Sequence, residues 1–254
     1  MASLKSESAL ASSSSEELPL LQDLRGKTAL LACRGATVLG TCSSAASLDQ
    51  IQSLAQAIKQ AYKTADIEAP RIIGLAANVL SPDFPDLVAN KVRDQLGSKL
   101  NIIVNNAVYF EDPPIGELDT KYVQRMLVGN VQCLVLLMDR LLRDGYIQPE
   151  SRIVNISSDT SRISLPFDGI MLYASAKAAM ESLTRSWVDI LVREPLTLGT
   201  TVNSLSVLSD GKSVHNGPGL PEDVANVAGL LVGEAARWIN GSVVAANGGA
   251  VKIL

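Results

Sequence analysis

Apolar positions along the chain fall into two alternating kinds of run. Short, continuous runs read as buried strands: Lys27 to Leu31, Ala36 to Thr41, Arg71 to Ala77, Leu100 to Val104, Arg152 to Ser157, Thr200 to Ser206 and Ser242 to Ala246. Between them, apolar residues recur at helical spacing. Ser47 to Tyr62 carries Leu48, Ile51, Leu54, Ala55, Ile58 and Ala61, and Phe84 to Leu96 carries Leu87, Val88, Val92 and Leu96. Longer helices are predicted over Lys121 to Leu142 and Tyr173 to Arg193, and a last one over Pro221 to Trp238, with proline in its first turn. Strands that are apolar throughout, rather than at alternate positions, are covered on both faces. The pattern therefore predicts an α/β fold with a doubly wound parallel sheet, in a single domain. Its ligands belong at the carboxyl ends of the strands.

The first 23 residues do not follow this pattern. Met1 to Ser15 holds seven serines and no apolar periodicity, too little to offset chain entropy. Residues 1–23 are expected to be a disordered serine-rich tail and residues 24–254 the domain. No apolar core of a secretory signal is present. Glu7, Glu16 and Glu17, with no arginine before Arg25, argue against a transit peptide, so a cytoplasmic protein is expected.

Composition narrows the function classes. The 254 residues are 47% hydrophobic and 19% charged, enough apolar material for a packed core. Stretches such as Val131 to Met138 are far short of a bilayer span, so no membrane partner is expected. A net charge of −4 offers no basic face for nucleic acid. Cys33, Cys42 and Cys133 form no C-x-x-C pair, so neither a disulfide scaffold nor a metal site is expected. The one histidine, His215, excludes chemistry that needs two.

Four polar features stand at strand ends or on helices facing them. Asn105-Asn106-Ala107 closes one strand, and Ser157-Ser158 closes another. Asn130 sits inside an apolar helix, where an amide needs a partner. Tyr173 and Lys177 share a helix face at i, i+4. Each has an ordinary reading: a turn, a helix cap, a satisfied core amide, a solvated helix start. Together they suit carbonyl chemistry. A lysine ammonium near a tyrosine favours phenolate and lowers its pKa. A serine hydroxyl holds a carbonyl oxygen while the tyrosine gives or takes its proton, and a cofactor supplies a hydride.

The set resembles the short-chain dehydrogenase/reductase family, whose Rossmann-like signature has these elements in this order. Asn105-Asn106-Ala107-Val108 stands for its Asn-Asn-Ala-Gly, Asn130 for its helix asparagine, Ser158 for its strand-end serine, and Tyr173-Ala174-Ser175-Ala176-Lys177 for its Tyr-x-x-x-Lys. The separations of 24, 28 and 15 residues suit it, and Ala246-Asn247-Gly248-Gly249 extends the likeness toward the C-terminus. The resemblance implies that Tyr173 is the acid/base and Ser158, rather than Ser157, polarises the carbonyl. It implies that Lys177 lowers the tyrosine pKa and holds the nicotinamide ribose, and that Asn130 supports a relay water. Asn106, Ala107, Tyr173, Lys177, Asn78 and Ser43 are the implied cofactor contacts. Asn78 stands where the family often has an aspartate near the adenine. No acid ends the second strand at Thr41-Cys42-Ser43-Ser44, which favours NADP without excluding NAD. The expected activity is NAD(P)-dependent hydride transfer to or from a small-molecule carbonyl or alcohol, in the style of fungal secondary metabolism. The family's habit is a homo-oligomer, a dimer or tetramer. Val131, Leu134, Leu136, Leu137, Trp187 and Leu191 offer apolar surface for helix-to-helix contact beyond what one side of a sheet needs.

Two segments depart from the family. Its glycine-rich phosphate loop and most of the helix after it, about 17 residues, are missing after the first strand. Gly35 to Thr41 echoes half of a P-loop but lacks the lysine. With so short a connection, the second strand is expected to shift or pair differently. The substrate lid is clipped as well, since twelve residues separate Leu208 from Pro221. Low affinity for the dinucleotide is expected. A redox-inactive relative that binds small molecules or does acid/base work, or the product of a truncated gene model, is the alternative to a working reductase.

Overall fold

A computed structural model describes residues 28–29, 35–163, 168–207, 213–214, 216–217 and 219–252. The serine-rich segment 1–23 and His215 lie outside them. The strands are β1 (Thr28–Ala29), β2 (Thr37–Cys42), β3 (Ile72–Ala76), β4 (Leu100–Asn105), β5 (Ile147–Ile156), β6 (Thr201–Val207) and β7 (Val243–Ala246). They form one sheet in the order β3-β2-β1-β4-β5-β6-β7, and every pairing is parallel. The helices are α1 (Leu48–Thr64), α2 (Phe84–Leu96), α3 (Thr120–Leu127), α4 (Cys133–Arg143), α5 (Met171–Leu191) and α6 (Pro221–Val232). The doubly wound α/β architecture is as the apolar pattern predicted.

Two cores sandwich the sheet. In one, Val88 and Val92 of α2, Leu137 and Met138 of α4 and Trp187 of α5 pack on Leu39, Ile103 and Ile153. In the other, Leu231 and Val232 of α6 pack on Ile102, Val154 and Leu205. Helix α2 ends at Gly97, whose φ of 63° is the left-handed conformation that closes a helix at little cost for glycine.

The structure corrects several expectations. Strand β2 does not shift; it lies parallel beside β1, with Thr28 opposite Thr37 and Ala29 opposite Val38. β1 is two residues long, so the chain has only about 6 Å to recover between Ala29 and Thr37, and no full crossover is required. The helix predicted over Lys121 to Leu142 is α3 and α4 joined by a π turn at Val128–Gln132. There, a Cβ on Gly129 would come 2.6 Å from that of Tyr109, so glycine permits the close approach. Helix α6 stops at Val232 because Gly233 leaves the helical region (φ −79°, ψ 161°), and Trp238 is exposed. Leu134, Leu137, Trp187 and Leu191 are not spare interface residues; they are buried in the core. Among the described residues no helix is long and apolar enough to cross a membrane.

Candidate active site

Parallel strands deliver their ends to one edge of the sheet. Ser43 follows β2, Asn78 follows β3, Asn106 and Ala107 follow β4, and Ser158 follows β5. Strands β4, β5 and β6 are locked together below that edge by a buried polar ladder. The Asn105 amide donates to Asn155 Oδ1 (2.7 Å), the Asn155 amide donates to Thr184 Oγ1 (2.8 Å), and Thr184 shares a hydrogen bond with Ser204 (2.8 Å).

The two serines after β5 have separate partners. Ser157 donates to Glu181 Oε1 (2.8 Å), inside the protein. Ser158 lines the same cleft as Tyr173, and its hydroxyl accepts from Thr160 Oγ1 (3.0 Å). Glu181, two turns beyond Tyr173 on α5, also accepts from Ser161 (2.6 Å) and from Arg162 Nε (3.0 Å). This buried carboxylate thus fixes the turn that carries Ser158. Asp159 does the same from the other side, accepting from Ser206 and from the Asn247 amide (2.6 Å to the latter). The sequence reading missed both acids. An acid at i+4 from Lys177, on the inward face of α5, was the available signal for Glu181.

Lys177 is buried behind Tyr173. Its Nζ donates to the Ile156 carbonyl (2.5 Å) and lies 5.7 Å from the Tyr173 ring centroid. Burial pushes the ammonium down to about 8. The tyrosine is not lowered, contrary to expectation. Burial pushes Tyr173 above its ordinary value, and the hydrogen bond with Ser158 only partly offsets this. The lysine's charge is spent on a backbone carbonyl, and desolvation of the phenolate dominates. Tyr173 is therefore a neutral hydroxyl at pH 7, the form that gives a proton.

Asn130 sits in the π turn and uses both amide hydrogens on backbone, donating to the carbonyls of Tyr109 (2.8 Å) and Met126 (2.9 Å). Its Oδ1 accepts from the Tyr109 N–H (3.0 Å). These bonds clamp the segment after β4. Tyr109 is held further by Arg125, which donates to its hydroxyl (2.7 Å) and to Glu111 (2.7 Å). The clamp delivers Phe110, whose ring stands edge-on to Tyr173 with centroids 5.3 Å apart. Phe110 carried no signal in the sequence.

A cleft of about 510 Å³ opens here, lined by Ser158, Thr160 and Tyr173 at one end and by Val108, Phe110, Leu220 and other apolar side chains elsewhere. Asn106 and Ala107 are exposed and line a separate cavity of about 90 Å³ with Thr41 and Leu137. Ser43 is exposed, and Asn78 is exposed with its Oδ1 accepting from the Leu80 N–H (3.0 Å). The sequence-derived residues thus form two groups: Ser158, Tyr173 and Lys177 together with the Asn130 clamp, and the strand-end residues Ser43, Asn78, Asn106 and Ala107 farther along the edge.

The family described as short chain dehydrogenase matches residues 30–202. The chain belongs to this family. Short-chain dehydrogenases are oxidoreductases, and several fungal members are similar to this one. The short-chain dehydrogenase/reductase FrzI of Cladobotryum sp is 29% identical over 88% of this chain and 89% of its own length. The short chain dehydrogenase asqE of Emericella nidulans is 27% identical over 72% of this chain and 75% of its own. Among solved structures, the landomycin C-6 ketoreductase LanV, with bound NADP and rabelomycin, superposes with a TM-score of 0.76 at 24% identity, covering 90% of this chain and 97% of that one. That likeness extends the short-chain dehydrogenase fold over most of this chain.

Whether the residues fit a dinucleotide depends on the end considered. By the family resemblance Tyr173 and Lys177 would hold a nicotinamide ribose, while Ser43 and Asn78 follow β2 and β3 on the other half of the sheet. The diphosphate between them needs backbone N–H groups at the start of a crossover helix. Only seven residues, 30–36, join β1 to β2, fewer than the dozen or more of such a crossover. Val108 adds a side chain to the cleft where the family pattern has glycine. The site as a whole does not fit the dinucleotide.

Proposed function

We propose that this short-chain dehydrogenase acts on the carbonyl or hydroxyl oxygen of a small apolar molecule, with residues 24–254 as the working domain. The observation that carries the reading is that the hydroxyl-bearing Ser158 and Tyr173 line one largely apolar cleft. Ser158 holds the oxygen. Tyr173, neutral at pH 7, gives it a proton, or takes one in the reverse direction. Lys177 sits one turn behind, and Asn130 acts through Tyr109 and Phe110 as a positioning residue. The names of the fungal relatives and of the LanV complex support a secondary-metabolite-like ketone as the class of compound. The chain's own residues carry only the proton half of the family's chemistry; the hydride half would need NADP, which the diphosphate end does not fit. Leu127, Val135 and Leu136, exposed on α3 and α4, favour a homo-oligomer.

The reading is tested by calorimetric titration with tetralone, a flat ketone. Tyr173→Phe and Ser158→Ala are each expected to weaken binding about tenfold, the equivalent of one hydrogen bond. Tyr62→Phe, at the buried residue of distant α1, leaves it unchanged. Unaltered affinity in both site variants would refute the assignment.

A further inference from the structure

We infer that this chain has no grip on a dinucleotide's diphosphate, and that the cleft beside Tyr173 takes a flat, neutral, apolar ketone with no dinucleotide bound first. The inference rests on the reading of Ser158 and Tyr173 as the oxygen site. Three observations carry it beyond that reading.

The first is the connection between β1 and β2. A parallel neighbour reached in seven residues leaves no room for the helix whose N–H groups would meet a diphosphate. The second is the shape of the cleft. It runs from the hydroxyls of Ser158 and Tyr173 to Val207 and Ala246 at the carboxyl ends of β6 and β7. One molecule can therefore occupy its whole length, and nothing in the lining reserves part of it for a second. The third is the chemistry of the walls. Among the described residues no charged side chain lines the cleft, and its polar side chains are the hydroxyls of Ser158, Thr160 and Tyr173. Such a lining favours a neutral molecule with one oxygen to place. Among its described residues it offers no cationic partner to a phosphate, whose burial without one is costly. Phe110 and Tyr173 meet edge to face at 84°, presenting a ring face against which a planar ligand packs. Val108 closes the side on which the family pattern leaves only a glycine.

Calorimetric titration of the full chain with tetralone and fluorenone, with and without millimolar NADPH, tests this. At least one of the two ketones is expected to bind without NADPH, with affinity changed less than about threefold by its addition. Phe110→Ala is expected to weaken that binding about fivefold through loss of the ring contact. Binding that requires NADPH, or no binding of either ketone under either condition, would overturn the inference. Dinucleotide-free binding that ignores both Tyr173→Phe and Ser158→Ala would support the cleft as a ligand site and refute the oxygen assignment, so the two failures are distinguishable.

Discussion

The two halves of the sheet are built to different standards. On the β4–β7 side, every residue of β6 but the last is buried. Helix α5 buries three polar or charged side chains among apolar neighbours, Lys177, Glu181 (the partner of Ser157) and Thr184. Each has an assigned hydrogen bond. On the β1–β3 side, β3 has no fully buried residue, and α1, seventeen residues long, buries only Tyr62. Leu54 on its apolar face is half exposed. The half that holds the oxygen site is therefore tightly specified, while the half that would hold the nucleotide is loosely packed around a two-residue β1. On the proposed reading, the difference means that a proton site is held by local hydrogen bonding and packing even beside a short connection between β1 and β2.

The largest effect separating the halves belongs to the buried ladder. Asn155→Leu leaves the Asn105 amide without its partner and removes one of the bonds to Thr184, and is expected to cost about 3 kcal/mol in urea denaturation. A loss under about 1 kcal/mol would mean that the ladder does not set the stability of this half.

Lys177 gives the next. Its folded pKa of about 8 lies below the ordinary lysine value. The unfolded chain therefore binds more protons between these values, and stability rises as pH rises through that window. Relative to Lys177→Met, the wild-type chain is expected to gain about 2 kcal/mol of stability between pH 8 and pH 10. Tyr173 has the opposite sign, because its raised folded pKa withdraws stability only as pH climbs beyond the ordinary tyrosine value near 10. The two contributions therefore fall in separate windows. Equal slopes for the wild type and Lys177→Met would show that the lysine is solvated.

Asn130→Ala removes three bonds to backbone. About 1 kcal/mol of stability should be lost. Because the bonds hold the segment carrying Phe110, tetralone affinity should fall as far as in Phe110→Ala. Loss of stability with unchanged affinity would reduce Asn130 to a core amide. The smallest effect is expected on the loose side: Leu54→Ser on α1 should change stability by less than about 0.5 kcal/mol, and a larger loss would mean that this face is covered more tightly than its exposure shows.

Much of this was legible in the sequence for physical reasons. Continuous apolar runs mark strands buried on both faces, so the parallel sheet could be read directly. The Tyr173–Lys177 pair follows from helical spacing alone. The preference for Ser158 over Ser157 comes from resemblance; in the structure Ser157 is bonded to Glu181 and Ser158 lines the cleft. What could not be read depends on contacts distant in sequence. Phe110 reaches Tyr173 only because Asn130 clamps Tyr109 across 21 residues. The direction of the Tyr173 shift was misjudged because helical spacing places Lys177 nearby but does not reveal that its ammonium is turned to the Ile156 carbonyl. The placement of β2 was misjudged because the dozen-residue rule for crossovers presumes a strand of ordinary length, and β1 has two residues.

The central claim is that the proton site is present without a grip on the diphosphate. Its most direct test is a calorimetric comparison of NADPH with reduced nicotinamide mononucleotide, which keeps the nicotinamide end and lacks the diphosphate-linked adenosine. The account predicts that NADPH binds no more than about threefold tighter than the mononucleotide. NADPH binding about 100-fold tighter, at micromolar concentration, would contradict it.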